Sequence, residues 1–364
     1  MLCRGVALGA AGGSIRMRTR SNGARGIEDV GVFTNVGSSS SISSKGMAYE
    51  RAIPVTYVDE LARAGRVIGR RYRLERPLTR GLPSKLWRAE RVRPGSPVAV
   101  RLLDEAIAED ETLLDGFCWE ARSAAAVQSP FVARVLDYGV EGGAPYLVTE
   151  LLDGETLQTR LRARRTVGSA ELESVFRQAA LGLDEVHALG LIHRDVKPAN
   201  LFLGRPAPAL DVASAAAARV APVKTPEAGK HESTKLLFGI AKIMNDTLDL
   251  VRKMASRDVT PTDTAAYMSP EQVLGRSSVD HRSDLWSLGV IAFECLTGEL
   301  PFGAGTLGDR LVQICTAPPR LPSDVRPVPA GFDAWFTRAV AKAPRDRPGS
   351  ALQMADALSA ILAR

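Results

Sequence analysis

Three polar residues of the kinds that take part in catalysis lie close together in the middle of the chain. Asp195, Lys197 and Asn200 occur in a stretch with apolar residues before it, at 191–192, and after it, at 201–203. Phosphoryl transfer needs a carboxylate that orients and deprotonates the attacking hydroxyl, and an oxygen ligand for a metal ion. We therefore predict Asp195 as the catalytic base and Asn200 as the metal ligand. Lys197 would neutralise charge on the moving phosphate.

The run from His193 to Asn200 resembles the His-Arg-Asp-x-x-x-x-Asn signature of protein kinases. Lys197, two residues after the Asp, resembles the serine/threonine branch of that family. The resemblance extends over residues 71–364. It implies an α+β, two-lobed protein kinase fold, with a small, mainly β N-lobe and a large, mainly α C-lobe, and ATP and Mg²⁺ as cofactors. An ordinary polar turn is the alternative for this run, but the extent of the match disfavours it.

Length and composition fit a globular protein with one such domain and a tail. The chain has 364 residues, more than one small core needs. No apolar run approaches the ~20 residues that span a bilayer, so we expect no transmembrane segment. Four scattered cysteines, Cys3, Cys118, Cys295 and Cys315, form no CxxC pair. We therefore expect neither a zinc site nor a disulfide framework, and a cytoplasmic location.

Positive charge is concentrated in the leading part of the chain. Residues 1–80 hold 14 Lys and Arg and 6 Asp and Glu, a net charge of +8, whereas the whole chain carries +6. A basic segment could bind nucleic acid or an acidic membrane surface. Because no aromatic residues are interleaved with its arginines, we interpret it as a solvated tail and expect no nucleic acid partner.

Composition and resemblance together predict the domain organisation. Residues 1–65 are rich in Gly, Ser and Arg, with few large apolar residues, so we predict that they are disordered. The resemblance implies an N-lobe over 71–150 and a C-lobe over 155–364. Within the C-lobe, residues 204–233 are Ala- and Pro-rich and then polar, and we predict a flexible insertion there.

The nucleotide site implied by the resemblance draws on both lobes. Its residues are Leu78, Gly81, Leu86, Ala99, Arg101, Glu120, Thr149, Glu150, Leu152 and Phe202. The backbone at Glu150 and Leu152 would meet the adenine edge, and Thr149 would gate the pocket behind adenine.

Three features of this site depart from the family pattern. Of the three glycines in the phosphate-covering loop, only Gly81 is present, and Pro83 removes one amide donor. The third strand ends in Arg101 where the family has Lys. A guanidinium is wider than an ammonium, but it can still form an ion pair, which we expect between Arg101 and Glu120. The Asp that precedes Phe-Gly in the family is absent, since Leu237 directly precedes Phe238. We expect a weakened Mg²⁺ site.

Two further expectations concern structure rather than chemistry. By resemblance, Asp284 would tie a buried helix to the backbone of the catalytic loop, and Glu271 would pair with Arg347 near the base of the C-lobe.

The sequence leaves three hypotheses for function. The first is ATP-dependent phosphorylation of Ser/Thr in proteins, slowed by the altered nucleotide site. The second is a pseudokinase that acts as a binding or regulatory module. The third is a small-molecule phosphotransferase of related fold, which the Ser269-Pro270-Glu271 run and Arg347 disfavour. The protein substrate or regulatory partner is not named by any of these residues.

Overall fold

The computed structural model describes eight stretches of the chain. They are residues 62–78, 84–93, 95–103, 106–204, 233–238, 265–276, 279–303 and 306–363. All but the last four residues of the segment predicted to be disordered lie outside them. So do Gly81 and all but the end residues of the predicted insertion.

The first half of the described chain forms one antiparallel sheet of six strands. They are β1 (Val67–Ile68), β2 (Tyr72–Pro77), β3 (Ser84–Val92), β4 (Gly95–Leu103), β5 (Val135–Glu141) and β6 (Ala144–Glu150), in the order β1-β2-β3-β4-β6-β5. Alternate residues along β2, β3 and β4, such as Leu74, Trp87 and Val100, pack into one core cluster. That alternation is the period of two expected of strands with one buried face.

Two helices, α1 (Ala106–Glu109) and α2 (Glu111–Ala126), follow β4. Asp110 caps α2, because its carboxylate accepts hydrogen bonds from the amides of Thr112 and Leu113 at 2.9 and 3.1 Å. Phe117 and Ala121 on α2 are buried in a second cluster, which also contains Leu147 of β6. This packing fixes α2 against the sheet.

The second half is mainly helical. After β7 (Gly154–Thr156) come α3 (Leu157–Arg164), α4 (Ser169–Ala188), α5 (Pro270–Val273), α6 (Arg282–Thr297), α7 (Leu307–Thr316), α8 (Phe332–Ala339) and α9 (Ala351–Leu362). Helix α6 is buried from Ser283 to Thr297 except at Glu294, so it forms the centre of this lobe. A sheet-rich lobe followed by a helical lobe confirms the predicted α+β architecture.

A small sheet supports the stretch between the two lobes. Its strands are β7, β8 (Leu201–Gly204) and β9 (Ser233–Leu236), paired antiparallel in that order. Gly154 in β7 has φ +148°, and a side chain there would collide with the carbonyl of Leu203. Glycine is therefore required where the chain leaves the first lobe. Among the described residues, no helix is both long and apolar enough to span a membrane.

Candidate active site

The predicted catalytic loop is held by one buried carboxylate. Asp284, near the start of α6, accepts hydrogen bonds from the backbone amides of His193 at 2.9 Å and Arg194 at 2.8 Å, and it contacts His187 Nε2 at 2.7 Å. Burial alone would raise the pKa of Asp284, but these partners outweigh it and hold the pKa below its usual value. The expected link between this helix and the catalytic loop is thus present.

The residue before Asp195 has a strained backbone. Arg194 has φ +64°, a left-handed conformation that costs energy in a residue with a side chain. Its amide is bound by Asp284, and its carbonyl accepts a hydrogen bond from Gln272 Nε2 at 2.8 Å. Gln272 is itself fixed, because its Oε1 accepts from the amide and the hydroxyl of Ser269 at 3.1 Å. Sequence reasoning missed Gln272, whose partner is far away in the chain.

The three predicted catalytic residues lie together. Lys197 Nζ is 2.9 Å from Asp195 Oδ1. Asn200 Nδ2 donates to Asp195 Oδ2 and to the Asp195 carbonyl, both at 2.8 Å. Its donor end is therefore used to orient Asp195, which leaves the amide oxygen as the atom that could bind a cation.

Backbone contacts fix the position of Leu237, the residue that directly precedes Phe238. The amide of Leu237 donates to the carbonyl of Asn200 at 2.8 Å. The carbonyl of Leu237 lies 2.9 Å from His193 Nε2, and the Asp195 amide donates to His193 Nδ1 at 3.3 Å. Burial lowers the pKa of His193, so the ring is neutral and donates through Nε2. These contacts fix the Leu237 backbone beside Asn200, and the apolar Leu237 side chain offers no oxygen there.

The side chains present do not fit a tight magnesium site. Mg²⁺ prefers anionic oxygens in octahedral order, whereas Asn200 is neutral and Leu237 is apolar. In the described parts of the chain, no group of three or more His, Cys, Asp and Glu could hold a metal ion. The weakened Mg²⁺ site expected from the sequence stays a prediction.

Four of the predicted nucleotide-binding residues share one face of the large sheet. Leu86 lies opposite Arg101 in the register of β3 and β4, and Ala99 lies opposite Thr149 in that of β4 and β6. Positions two apart along a strand point the same way. This face is opposite to the one that packs into the core cluster.

Arg101 lies on β4, and the charge that acts on its pKa is that of Asp195. The expected ion pair between Arg101 and Glu120 stays a prediction. Arg101 lies opposite Leu147 in the register of β4 and β6, and Leu147 packs against Phe117 and Ala121 of α2. Glu120 lines a cavity of about 70 Å³ together with Leu147, His193 and Phe238.

The remaining predicted residues lie along the strand that joins the lobes and around it. Glu150 Oε1 is 2.7 Å from Lys235 Nζ and accepts from the Arg134 amide at 2.9 Å, so its side chain fixes the strand end. The Leu78 amide donates to the carbonyl of Leu86 at 2.8 Å. Leu152 and Phe202 are partly exposed, which suits residues that line an open cleft. Gly81 lies outside the described residues.

The Glu271–Arg347 pair expected in the C-lobe is present and bidentate. Arg347 Nη1 lies 2.6 Å from Glu271 Oε1, and Nη2 lies 2.9 Å from Oε2. Both side chains are buried. Burial would raise the pKa of Glu271, but its bonds with Arg347 and Ser283 lower it below the usual value.

A sheet lobe joined to a helical lobe, with an oriented Asp, Lys and Asn between them, defines a protein kinase-like architecture. The family model described as "Protein kinase domain" matches residues 72–327. The serine/threonine-protein kinase PknL of Mycobacterium tuberculosis is 33% identical over 297 residues, which are 80% of this chain and 65% of PknL. Pkn1 of Myxococcus xanthus is 33% identical over 327 residues, 88% of this chain and 42% of Pkn1.

A crystal structure of the M. tuberculosis PknI kinase domain has a similar fold, with a TM-score of 0.62 and 24% identity, covering 83% of this chain and 100% of that chain. The chain therefore belongs to the bacterial-type serine/threonine protein kinase family. It spans less than two thirds of the length of PknL and of Pkn1.

Gln272 should rigidify the catalytic loop. We expect Gln272→Leu to accelerate hydrogen exchange of the Arg194 and Asp195 amides about fivefold, because losing one hydrogen bond costs about 1 kcal/mol. Exchange measured by mass spectrometry on peptides covering 192–197 tests this. Gln158→Leu, a substitution on α3, serves as the control. Equal exchange in Gln272→Leu and the unaltered protein would show that Gln272 does not hold the loop.

Proposed function

We propose that this protein transfers a phosphoryl group from ATP to Ser or Thr hydroxyls of proteins, at a slow rate. The observation that carries the proposal is the Asp195, Lys197 and Asn200 cluster, which stands in an anchored loop with the geometry that a hydroxyl substrate needs. The same loop faces Leu237, which offers no ligand to a metal. The serine/threonine kinase names of the relatives support the same reaction class.

Each residue then has a role that its contacts support. Asp195 would orient the substrate hydroxyl and take its proton, and Asn200 holds the carboxylate in place for this. Lys197 would neutralise the transferred phosphate. Leu78, Leu86, Ala99 and Phe202 would contact the adenine, with Thr149 at the back and the backbone of Glu150 and Leu152 at its edge. ATP supplies the phosphoryl group.

The expected rate of phosphoryl transfer follows from two groups that the site lacks, the Asp before Phe238 and the Lys at position 101. Removing one group that stabilises transition-state charge costs ~2.7–4 kcal/mol. Two such losses, the absent carboxylate and the replaced Lys, would slow transfer by roughly 10⁴-fold or more if they act independently. Product would therefore accumulate over hours at high enzyme concentration.

Purified protein incubated with radiolabelled ATP, alone and with casein, tests the proposal. We expect slow incorporation that Asp195→Asn abolishes and that Asp356→Asn, an exposed substitution on α9, leaves unchanged. Acid-stable label on Ser or Thr identifies the product. Incorporation equal in Asp195→Asn and the unaltered protein would refute the assignment of Asp195.

A second candidate is a pseudokinase that regulates a partner through its surface, and the leucine at 237 is the observation that favours it. In that case no label would be incorporated even after long incubation, while the fold would stay intact. For either function we propose a cytoplasmic setting, which the free thiols of Cys118, Cys295 and Cys315 support.

A further inference from the structure

Arg101 carries a positive charge that the described part of the protein leaves without a direct partner. Within the described residues its guanidinium forms no hydrogen bond or ion pair. Arg101 is only partly exposed to solvent, and burial lowers its pKa while the charge of Asp195 raises it. Charges removed from water normally acquire a counter-ion. Among the described residues this guanidinium therefore has no anion in direct contact.

Asp195 does not fill that role. Its carboxylate is already engaged by Lys197 Nζ at 2.9 Å and by Asn200 Nδ2 at 2.8 Å. The interaction with Arg101 acts at longer range. No hydrogen bond from a described residue takes the five N–H donors of the guanidinium, and Arg101 lies on the same face of the sheet as Leu86 and Ala99.

The cleft therefore combines a fixed cation with a poor metal site. A guanidinium keeps its charge at all physiological pH values and binds phosphate oxygens in pairs. The leucine at 237, beside Asn200, removes the anionic ligand that would attract a divalent cation. A polyphosphate that enters this cleft meets the Arg101 guanidinium and the Lys197 ammonium, which is already paired with Asp195, and little help from metal.

We propose that this protein binds nucleoside di- and triphosphates without a divalent cation, with the Arg101 guanidinium supplying the positive charge that a metal ion would otherwise bring. This inference rests on the proposed nucleotide site but not on catalysis. Two consequences follow. Chelation of divalent cations leaves nucleotide affinity unchanged, and affinity depends on the phosphate chain through Arg101.

The test is titration calorimetry of the full chain with ATP, ADP and adenosine, in EDTA and in excess MgCl₂. We expect the Kd for ATP in EDTA to lie within threefold of that in MgCl₂, and adenosine to bind at least tenfold more weakly than ATP. Arg101→Met, which keeps the apolar stem, should weaken ATP at least tenfold and leave adenosine unchanged. Arg338→Met, an exposed substitution on α8, is the matched control, and melting curves verify that every variant is folded.

Three results would overturn the inference: a Kd for ATP that MgCl₂ lowers tenfold or more, ATP affinity retained in Arg101→Met, or no binding of ATP in EDTA. The result of this binding test is independent of the result of the kinase assay. Metal-independent binding without phosphoryl transfer would uphold the inference and remove the proposed enzyme activity. Phosphoryl transfer that Asp195→Asn abolishes, together with strongly metal-dependent ATP binding, would support the proposed enzyme activity and refute the inference.

Discussion

Replacing Leu237 with Asp should convert the protein into a faster, magnesium-dependent phosphotransferase. The backbone of Leu237 is already fixed on both sides, by its amide bond to Asn200 and its carbonyl contact with His193. Neither contact uses the side chain. A carboxylate at this position would therefore project from a prearranged backbone beside the Asn200 amide, and the pair would offer Mg²⁺ both an anionic and a neutral oxygen.

We expect Leu237→Asp to raise turnover by roughly 10²–10³-fold at saturating MgCl₂, the value of one restored transition-state stabiliser. Combining it with Arg101→Lys, which places a compact ammonium on the same strand, should add to the gain. Initial rates of label incorporation measured against MgCl₂ concentration give both turnover and metal dependence. Substitution is the better design than insertion of an Asp before Phe238, since insertion would displace the bonded Leu237 backbone.

Leu237→Asn is the control that separates charge from polarity. It offers a neutral oxygen at the same place and should give little of the gain. If Leu237→Asp binds no additional magnesium and its turnover equals that of the unaltered protein, then position 237 is not the defect, and the slow rate has another origin.

That Asp195, Lys197 and Asn200 lie together could be predicted from the sequence because that information is local. Asp195, Lys197 and Asn200 are close in the chain, and the structure brings their functional atoms together. The strands of the first lobe were also predictable, since buried and exposed residues alternate along them.

What the sequence could not supply depends on contacts between distant segments. Gln272 binds Arg194 across 78 positions, and no local pattern marks such a pair. The charge that acts on Arg101 is that of Asp195, which lies far away in the chain. The sequence showed only that an Asp was missing before Phe238. The structure adds that the amide of Leu237, the residue directly before Phe238, is bonded to the carbonyl of Asn200.

The other large effect concerns stability, and it comes from Arg347. We expect Arg347→Ala to lower the free energy of unfolding by ~3–5 kcal/mol, because it leaves the buried Glu271 carboxylate without its counter-ion. The loss extends beyond that pair. Arg347 also donates to the carbonyls of Ala341 at 2.8 Å and Arg282 at 3.0 Å, and its guanidinium lies 5.0 Å from the centre of the Trp286 ring. Urea unfolding followed by circular dichroism measures the change.

Arg345 provides a matched control two residues away. Its side chain is 88% exposed and lies 3.9 Å from Asp346, and exposed pairs contribute little to stability. Arg345→Ala should therefore unfold at nearly the same urea concentration as the unaltered protein. Arg347→Lys keeps the positive charge but loses the two parallel N–H donors of the guanidinium, so its free energy of unfolding should be intermediate. This variant can be measured even if Arg347→Ala yields no folded protein.

The pH dependence of this loss distinguishes the ion pair from simple loss of packing. In the unaltered protein the pKa of Glu271 lies below its unfolded value of about 4.3, so the stability it contributes is present above that pH and is lost as pH falls below it. In Arg347→Ala, burial without a partner raises the pKa of Glu271, so protonation relieves the penalty. The difference in unfolding free energy between the two proteins should thus be largest near pH 7 and shrink toward pH 4. A difference that is constant over this range would mean that Arg347 acts through its packing on Trp286 rather than through its charge.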